Sequence, residues 1–191
     1  MDADDIAVPN RLKLQMVYVK ENPGIDILGG YALNINDDAQ IIDERRVPIS
    51  HDDIYQLLWT NPFIHATVMF RREAILKIGS YSPKLRKRQD YELWFRCAAA
   101  GLKFANLAVP LIHYRFTEKT FKRNNWQVLI AHLLIGWRGC WMVGASPFAY
   151  IGVTKPLIIG LLPLQLRYPV YRWLKNFDPR EKTNSKISEQ S

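Results

Sequence analysis

The sequence predicts an α/β or α+β domain followed by a helical C-terminal extension. Three observations carry this. Short apolar runs of strand length alternate with helical patterns from the N-terminus to about residue 116. Turn and cap residues fall between those runs, at Asn22-Pro23-Gly24, Asn36-Asp37-Asp38, Ser50, Gly79 and Gly101. From Phe121 the character changes to long uncharged stretches bounded by aromatic and basic residues. With 191 residues, 48% hydrophobic and 23% charged, the chain suits a globular domain with a sizeable core.

Taken in order, the elements are these. A helical pattern runs through Leu12, Leu14, Gln15, Val17 and Val19 and stops at Asn22-Pro23-Gly24. Residues 25–33 read as a buried strand, with Gly29-Gly30 marking a bulge or a close approach. Ile41 and Ile42 belong to its hairpin partner across the turn at 36–38. Ser50 caps a short helix over residues 52–59, with acids in its first turn. Asn61-Pro62 is a loop, and residues 63–70 read as a strand. Residues 71–78 form a helix closed by Gly79, and 80–88 a loop of basic and turn residues. A helix from Asp90 to Ala100 ends at Gly101, with Asp90 at or next to its N-cap. Residues 104–109 and 111–116 are two short strands split by Pro110.

The extension holds three apolar runs, 126–137, 139–154 and 156–166, the last two interrupted by Pro147 and Pro163. None reaches the roughly 18 unbroken apolar residues a spanning helix wants. Arg167, Arg172, Lys175, Arg180 and Lys182 interleave with Tyr168, Tyr171, Trp173 and Phe177. Basic and aromatic residues flanking apolar runs favour helices lying in a membrane interface, with a spanning hairpin or helices packed on the domain as alternatives. The expected division is 1–120, 121–182 and a polar, disordered tail at 183–191.

The net charge of +8 hides an asymmetry. Residues 1–53 carry eleven acids and five bases, a net of −6, and the rest seven acids and twenty-one bases, a net of +14. The acidic end suits a metal, and the basic end suits phosphates or lipid headgroups. Long uncharged stretches between the bases argue against a nucleic-acid groove. Cys97 and Cys140 give no disulfide framework and read as buried thiols. The N-terminus lacks the basic and apolar regions of a signal peptide.

Two constellations carry chemistry. Asp2-Ala3-Asp4 spaces two carboxylates so that both can point at one divalent cation, and hard oxygen ligands suit Mg²⁺ or Mn²⁺. A solvated acidic terminus is the plainer reading. Asp90 follows the basic run 86–88 at a helix start, where cations and the helix N-terminus hold a carboxylate ionised and able to take a proton from an alcohol. A plain helix cap is the alternative.

Read together, residues 1–12, 25–30, 65–72, 78–81, 89–96 and 110–115 resemble, in order, the segments of family 2 glycosyltransferases, inverting enzymes of the GT-A fold that use nucleotide-activated sugars. The resemblance covers roughly residues 1–125. It implies a partial GT-A-like mixed sheet with flanking helices, in which 1–120 is the acceptor-side and metal-binding half. It implies that Asp2 and Asp4 hold Mg²⁺ or Mn²⁺ and, through it, the donor's diphosphate. It implies that Asp90 is the general base, with Gly79, Ser80, Tyr81 and Gln89 on the substrate side. Arg115 is expected at the diphosphate, helped by Arg86 or Arg88. The expected partners are a nucleotide-sugar donor, a lipid-linked or glycan acceptor and the cytoplasmic face of the inner (plasma) membrane, in cell-surface polysaccharide or lipopolysaccharide assembly. No nucleic acid is expected.

Three departures stand out. The family usually has Glu where this chain has Gln89. It often has His where this chain has Thr117, for which His113 can substitute or remain a core histidine. His65 reads as structural or acceptor-lining. The nucleotide-binding half that normally precedes the acidic motif is not in this sequence. A truncated product, a misplaced start or a split enzyme with a separate donor-binding chain is therefore expected, with little transferase activity for this polypeptide alone. The alternative is a catalytically inactive, membrane-associated interaction protein.

Overall fold

The computed structural model describes residues 5–115, 126–175 and 177–182. Asp2, Asp4, Thr117 and the tail at 183–191 lie outside them.

The fold is α/β. A mixed sheet runs in the order β1 (Ile6–Ala7), β5 (Phe104–Arg115), β2 (Ile27–Ile35) and β3 (Ile41–Arg45), with β4 (Met69–Phe70) also on β2. Among the described residues, only the central pair β2 and β5 is parallel. Helix α1 (Arg11–Glu21) joins β1 to β2. Helix α2 (His51–Gln56), a 3₁₀ turn at Leu58–Thr60, α3 (Arg72–Lys77) and α4 (Gln89–Ala99) fill the connections between β3 and β5. Four helices follow among the described residues: α5 (Trp126–Met142), α6 (Pro147–Leu161), α7 (Leu164–Lys175) and α8 (Pro179–Lys182).

Most expected elements form. Ser50 caps α2 by accepting from the Asp53 backbone N–H. Gly79 and Gly101 close α3 and α4 at φ 89° and 76°, where a side chain is strained. The Gly29-Gly30 pair is both a close approach and an irregularity. A Cβ on Gly29 would sit 2.2 Å from Asn106 Oδ1, one on Gly30 2.6 Å from Leu111, and the register against β5 shifts just after Gly30.

Two expectations change. Residues 63–70 are not one strand. Thr67 Oγ1 donates to the Ile64 carbonyl and accepts from Gly30 N–H, and Gln15 donates to the Thr67 carbonyl. Side chains thus take backbone groups that a ladder would use, and a 3₁₀ turn forms at His65–Thr67, leaving only Met69–Phe70 as strand. Residues 104–115 are one strand, with Pro110 where the ladder is irregular. Helix α1 forms where expected; it buries Gln15 and leaves Leu12, Leu14, Met16 and Val17 exposed.

The core runs across the expected boundary at residue 121. Tyr91, Trp94 and Phe95 of α4 share it with Cys140 of α5 and Ala149 and Val153 of α6. Glycines make the close packing possible. A Cβ on Gly139 would lie 2.3 Å from the Phe95 ring, and one on Gly152 2.0 Å from Trp59. Both cysteines are buried, and burial raises the Cys97 and Cys140 thiols to about 12 and about 11. Among the described residues, no helix is long and apolar enough to cross a membrane.

Candidate functional site

Asp90 is not the helix cap. The N-cap position of α4 is Arg88, in the left-handed region at φ 62°, and Asp90 is the second residue of the helix. The basic loop arrives by a left-handed turn, and the Gln89 side chain turns back to donate to the Leu85 carbonyl. The Asp90 carboxylate therefore stands in the first turn, where the helix N-terminus favours negative charge. Its Oδ2 accepts from Asn61 Nδ2 at 3.3 Å.

Tyr81 and His65 lie alongside. Tyr81 Oη and His65 Nε2 are 2.9 Å apart, with the rings edge to face. Burial, then the charges of Asp90 and Cys97, push the Tyr81 phenol above its ordinary range, so it stays a donor at neutral pH. Trp94 lies next to His65, 6.2 Å between ring centroids, and packs against Phe63 at 5.0 Å with the rings tilted by 51°; its indole N–H is buried with no partner.

The turn at Gly79-Ser80 is braced from the same helix. Arg96 donates to the Ile78 and Ser80 carbonyls at 2.6 and 2.5 Å while paired with Glu92 at 2.8 Å. With Ser80 at φ 55°, two left-handed residues in succession present Tyr81. Asp90, Gln89, Tyr81, Ser80 and Gly79 are thus gathered around the N-terminal turns of α4.

Arg115 belongs to a second cluster. Its Nη1 donates to the Asn36 and Asp37 carbonyls at 2.7 and 2.8 Å, tying β5 to the β2–β3 turn. Its backbone N–H reaches Asp5 Oδ1 at 3.4 Å. Asp5 also acts on Arg11, whose guanidinium is lowered chiefly by burial and partly restored by Asp5. The residue that follows Asp4 is therefore beside two arginines, at the end of the sheet where β1 pairs with Ile112 and His113. No group of three metal-ligating side chains occurs among the described residues.

Three features were not legible as site residues. Asn61 read only as half of a loop pair. Its signal was the Asn-Pro step, since a residue before proline is kept out of the helical region. His132 of α5 stacks on Tyr91 at 4.6 Å, and burial, then Arg88, lower it to about 4. Arg180 reaches the Thr60 carbonyl from 120 residues away, a contact that nothing local announces.

No family model matches the chain. Its relatives are glycosyltransferases. The amylovoran biosynthesis glycosyltransferase AmsE of Erwinia amylovora is 34% identical over 131 residues, 68% of this chain and 48% of that protein. The O-antigen biosynthesis glycosyltransferase WbnJ of Escherichia coli is 32% identical over 127 residues, 65% of this chain and 49% of that protein. The Escherichia coli UDP-Gal:alpha-D-GlcNAc-diphosphoundecaprenol beta-1,3-galactosyltransferase is 28% identical over 125 residues, 64% of this chain and 44% of that protein. The chain spans about half the length of these curated relatives. Among solved structures, TarS of S. aureus aligns with 86% of this chain and 50% of that chain, at a TM-score of 0.49 and 12% identity.

Proposed function

We propose that this chain is the acceptor-side, metal-binding portion of an inverting, family 2 type glycosyltransferase that works in surface-polysaccharide or lipopolysaccharide assembly. The observation that carries the reading is the Asp90 carboxylate, held by Asn61 in the first turn of α4 and next to the Tyr81–His65 pair. Asp90 takes the proton of an acceptor hydroxyl as that oxygen attacks the anomeric carbon of a nucleotide sugar. The bond from that carbon to the diphosphate breaks on the opposite face, its electron pair leaves with the diphosphate, and the configuration inverts. Tyr81 lines the acceptor side as a hydrogen-bond donor, with Gly79 and Ser80 setting its angle. Gln89 keeps the basic loop in register through Leu85.

Asp2 and Asp4 are hard oxygen donors whose chemistry fits Mg²⁺ or Mn²⁺, an ion that supplies positive charge against the departing diphosphate. Arg115, beside Asp5, adds its charge at that end.

The chain's length relative to its relatives supports a donor-binding half supplied by a further segment or a separate chain. The exposed apolar residues of α1 give that half a surface to cover. One relative is named for a GlcNAc-diphosphoundecaprenol acceptor, which supports a lipid-linked acceptor here. The cytoplasmic membrane surface is the proposed docking plane. Trp126, Ile130, Leu134, Trp137 and Trp141 are exposed along α5 at helical spacing, and Phe148, Ile151, Ile158 and Leu161 along α6. The +14 charge of residues 54–191 complements an anionic headgroup layer.

In the complete transferase, Asp90→Asn is expected to lower turnover by about 10²- to 10⁴-fold while calorimetry shows unchanged donor binding. Turnover equal to the parent's would remove Asp90 from the base role.

A further inference from the structure

The turn that follows α2 is held more tightly than a connection needs. Leu57 and Leu58 carbonyls accept from within the turn, from Thr60 Oγ1 at 2.6 Å and Asn61 N–H at 3.0 Å. The next four carbonyls accept from side chains of distant segments. Tyr91 Oη donates to Trp59 at 2.8 Å. Arg180 Nη1 donates to Thr60 at 3.2 Å and reaches Asn61 at 3.5 Å. Asn106 Nδ2 donates to Pro62 at 3.2 Å. Every carbonyl from Leu57 to Pro62 is thus occupied.

Asn61 itself carries two costs. It sits at φ 57°, ψ 77°, in the left-handed region, immediately before Pro62. Its Oδ1 is buried with no partner, while its Nδ2 goes to Asp90. Turning the amide over would set its oxygen against the carboxylate, so the charge of Asp90 fixes the orientation. A strained backbone and an orphaned buried acceptor persist only where the surroundings impose them, and such features cluster at functional sites.

Arg180 is itself clamped. Its Nε and Nη2 donate to both oxygens of Asp178, at 2.9, 3.1 and 2.5 Å. Burial would raise the Asp178 carboxyl, but the hydrogen bonds and charge of Arg180, with Lys155, hold it below its ordinary value. The pair follows closely on α7, whose exposed Trp173 packs against the also exposed Phe177 at 5.1 Å.

We propose that Asn61 is the positioning residue of the Asp90 carboxylate, and that the Asp178–Arg180 pair latches the Asn61 turn from the C-terminal end of the chain. The inference rests on Asp90 being the general base and adds how that base is aimed. With Oδ2 bonded to the Asn61 amide, Oδ1 is the oxygen left to take the acceptor proton. The latch also ties the end of the apolar helical extension to the carboxylate, through Arg180, the 60–61 backbone and the Asn61 amide.

The test has two arms. In the 191-residue chain, the side-chain ¹H–¹⁵N signal of Asn61 is followed by NMR. Asp90→Asn is expected to move it, and an unmoved signal there would overturn the Asn61–Asp90 contact; Arg180→Met is also expected to move it, and an unmoved signal there would overturn the latch. In the complete transferase, Asn61→Gly keeps a residue at ease with positive φ and removes only the amide. It is expected to lower kcat about ten- to a hundredfold with the donor KM within about twofold. Arg180→Met is expected to lower kcat by a smaller factor in the same direction. If kcat of Asn61→Gly stays within about twofold of the parent while Asp90→Asn removes turnover, the positioning role is wrong and the base assignment stands. If turnover survives Asp90→Asn, the base assignment falls and takes the positioning role with it.

Discussion

Lowering the pH from 7.5 to 4.5 asks the His132 imidazole to take a proton in a place built for its neutral form. The residue is 7% exposed, lies face to face with Tyr91 at 4.6 Å and 14°, and its Nδ1 has no hydrogen-bond partner. Burial, then the positive charge of Arg88, lowers its pKa from 6.5 to about 4, with Asp90 opposing in part. In the unfolded chain the imidazole titrates near its ordinary value. As the pH falls the unfolded state therefore binds the proton first. The contribution to stability is complete above about pH 6.5 and is lost progressively down to about pH 4. At about 1.4 kcal/mol per pH unit, a gap from 6.5 to about 4 amounts to about 3 kcal/mol, most of it lost by pH 4.5. Urea unfolding at pH 7.5, 6.0 and 4.5 measures this, in the parent and in His132→Phe. Phenylalanine keeps a ring on Tyr91 and cannot titrate, and every other ionisable group is common to both chains. The parent is expected to lose about 2 to 3 kcal/mol more than the variant between pH 7.5 and 4.5. Two stability curves that run parallel over that range would refute the reasoning.

Two further outcomes follow from the packing of the extension. Gly139→Ala puts a methyl group 2.3 Å from the Phe95 ring, so thermal unfolding should report a loss of about 1–3 kcal/mol; an unchanged midpoint would mean that α5 does not seat on α4 at this glycine. The double substitution Trp141→Ser and Phe148→Ser removes two side chains that are 81% and 79% exposed, so it should leave the folding midpoint in place while weakening co-sedimentation with vesicles of phosphatidylglycerol and phosphatidylcholine about tenfold or more; equal binding by parent and variant would discard this face as the docking surface.

Much of the fold was legible because its punctuation is local. Ser50, Gly79 and Gly101 end or begin elements through their own backbone chemistry, and they do so here. The failures share a different cause. Thr67 and Gln15 are 52 residues apart, and it is their hydrogen bonds that convert an apparent strand at 63–70 into a 3₁₀ turn. Pro110 looks like a break when read alone, but it falls opposite Tyr31, where the Gly30 irregularity has already opened the ladder. The helix at α1 was legible too, but not its buried face: Leu12, Leu14, Met16 and Val17 are exposed, and the buried position belongs to a glutamine with backbone acceptors on β2 and at Thr67.

The candidate site divides along the same line. Asp90, Gln89 and Gly79–Tyr81 are near in sequence, and the structure gathers them around one end of α4. What aims the carboxylate comes from elsewhere: Asn61 from the preceding turn, and Arg180 from the far end of the chain. Composition marked residue 121 as a boundary, yet α5 and α6 complete the core beneath Tyr91 and Phe95, and the segment after α7 returns to the turn beside Asp90. A change in the extension therefore has a short physical route to the Asp90 carboxylate. Arg180, held by Asp178 just after α7, donates to the Thr60 carbonyl and reaches that of Asn61, whose side chain donates to Asp90. The helices of the extension and the turn beside Asp90 thus share one core and one set of hydrogen bonds, so a change in the extension can be felt at a carboxylate distant from it in sequence.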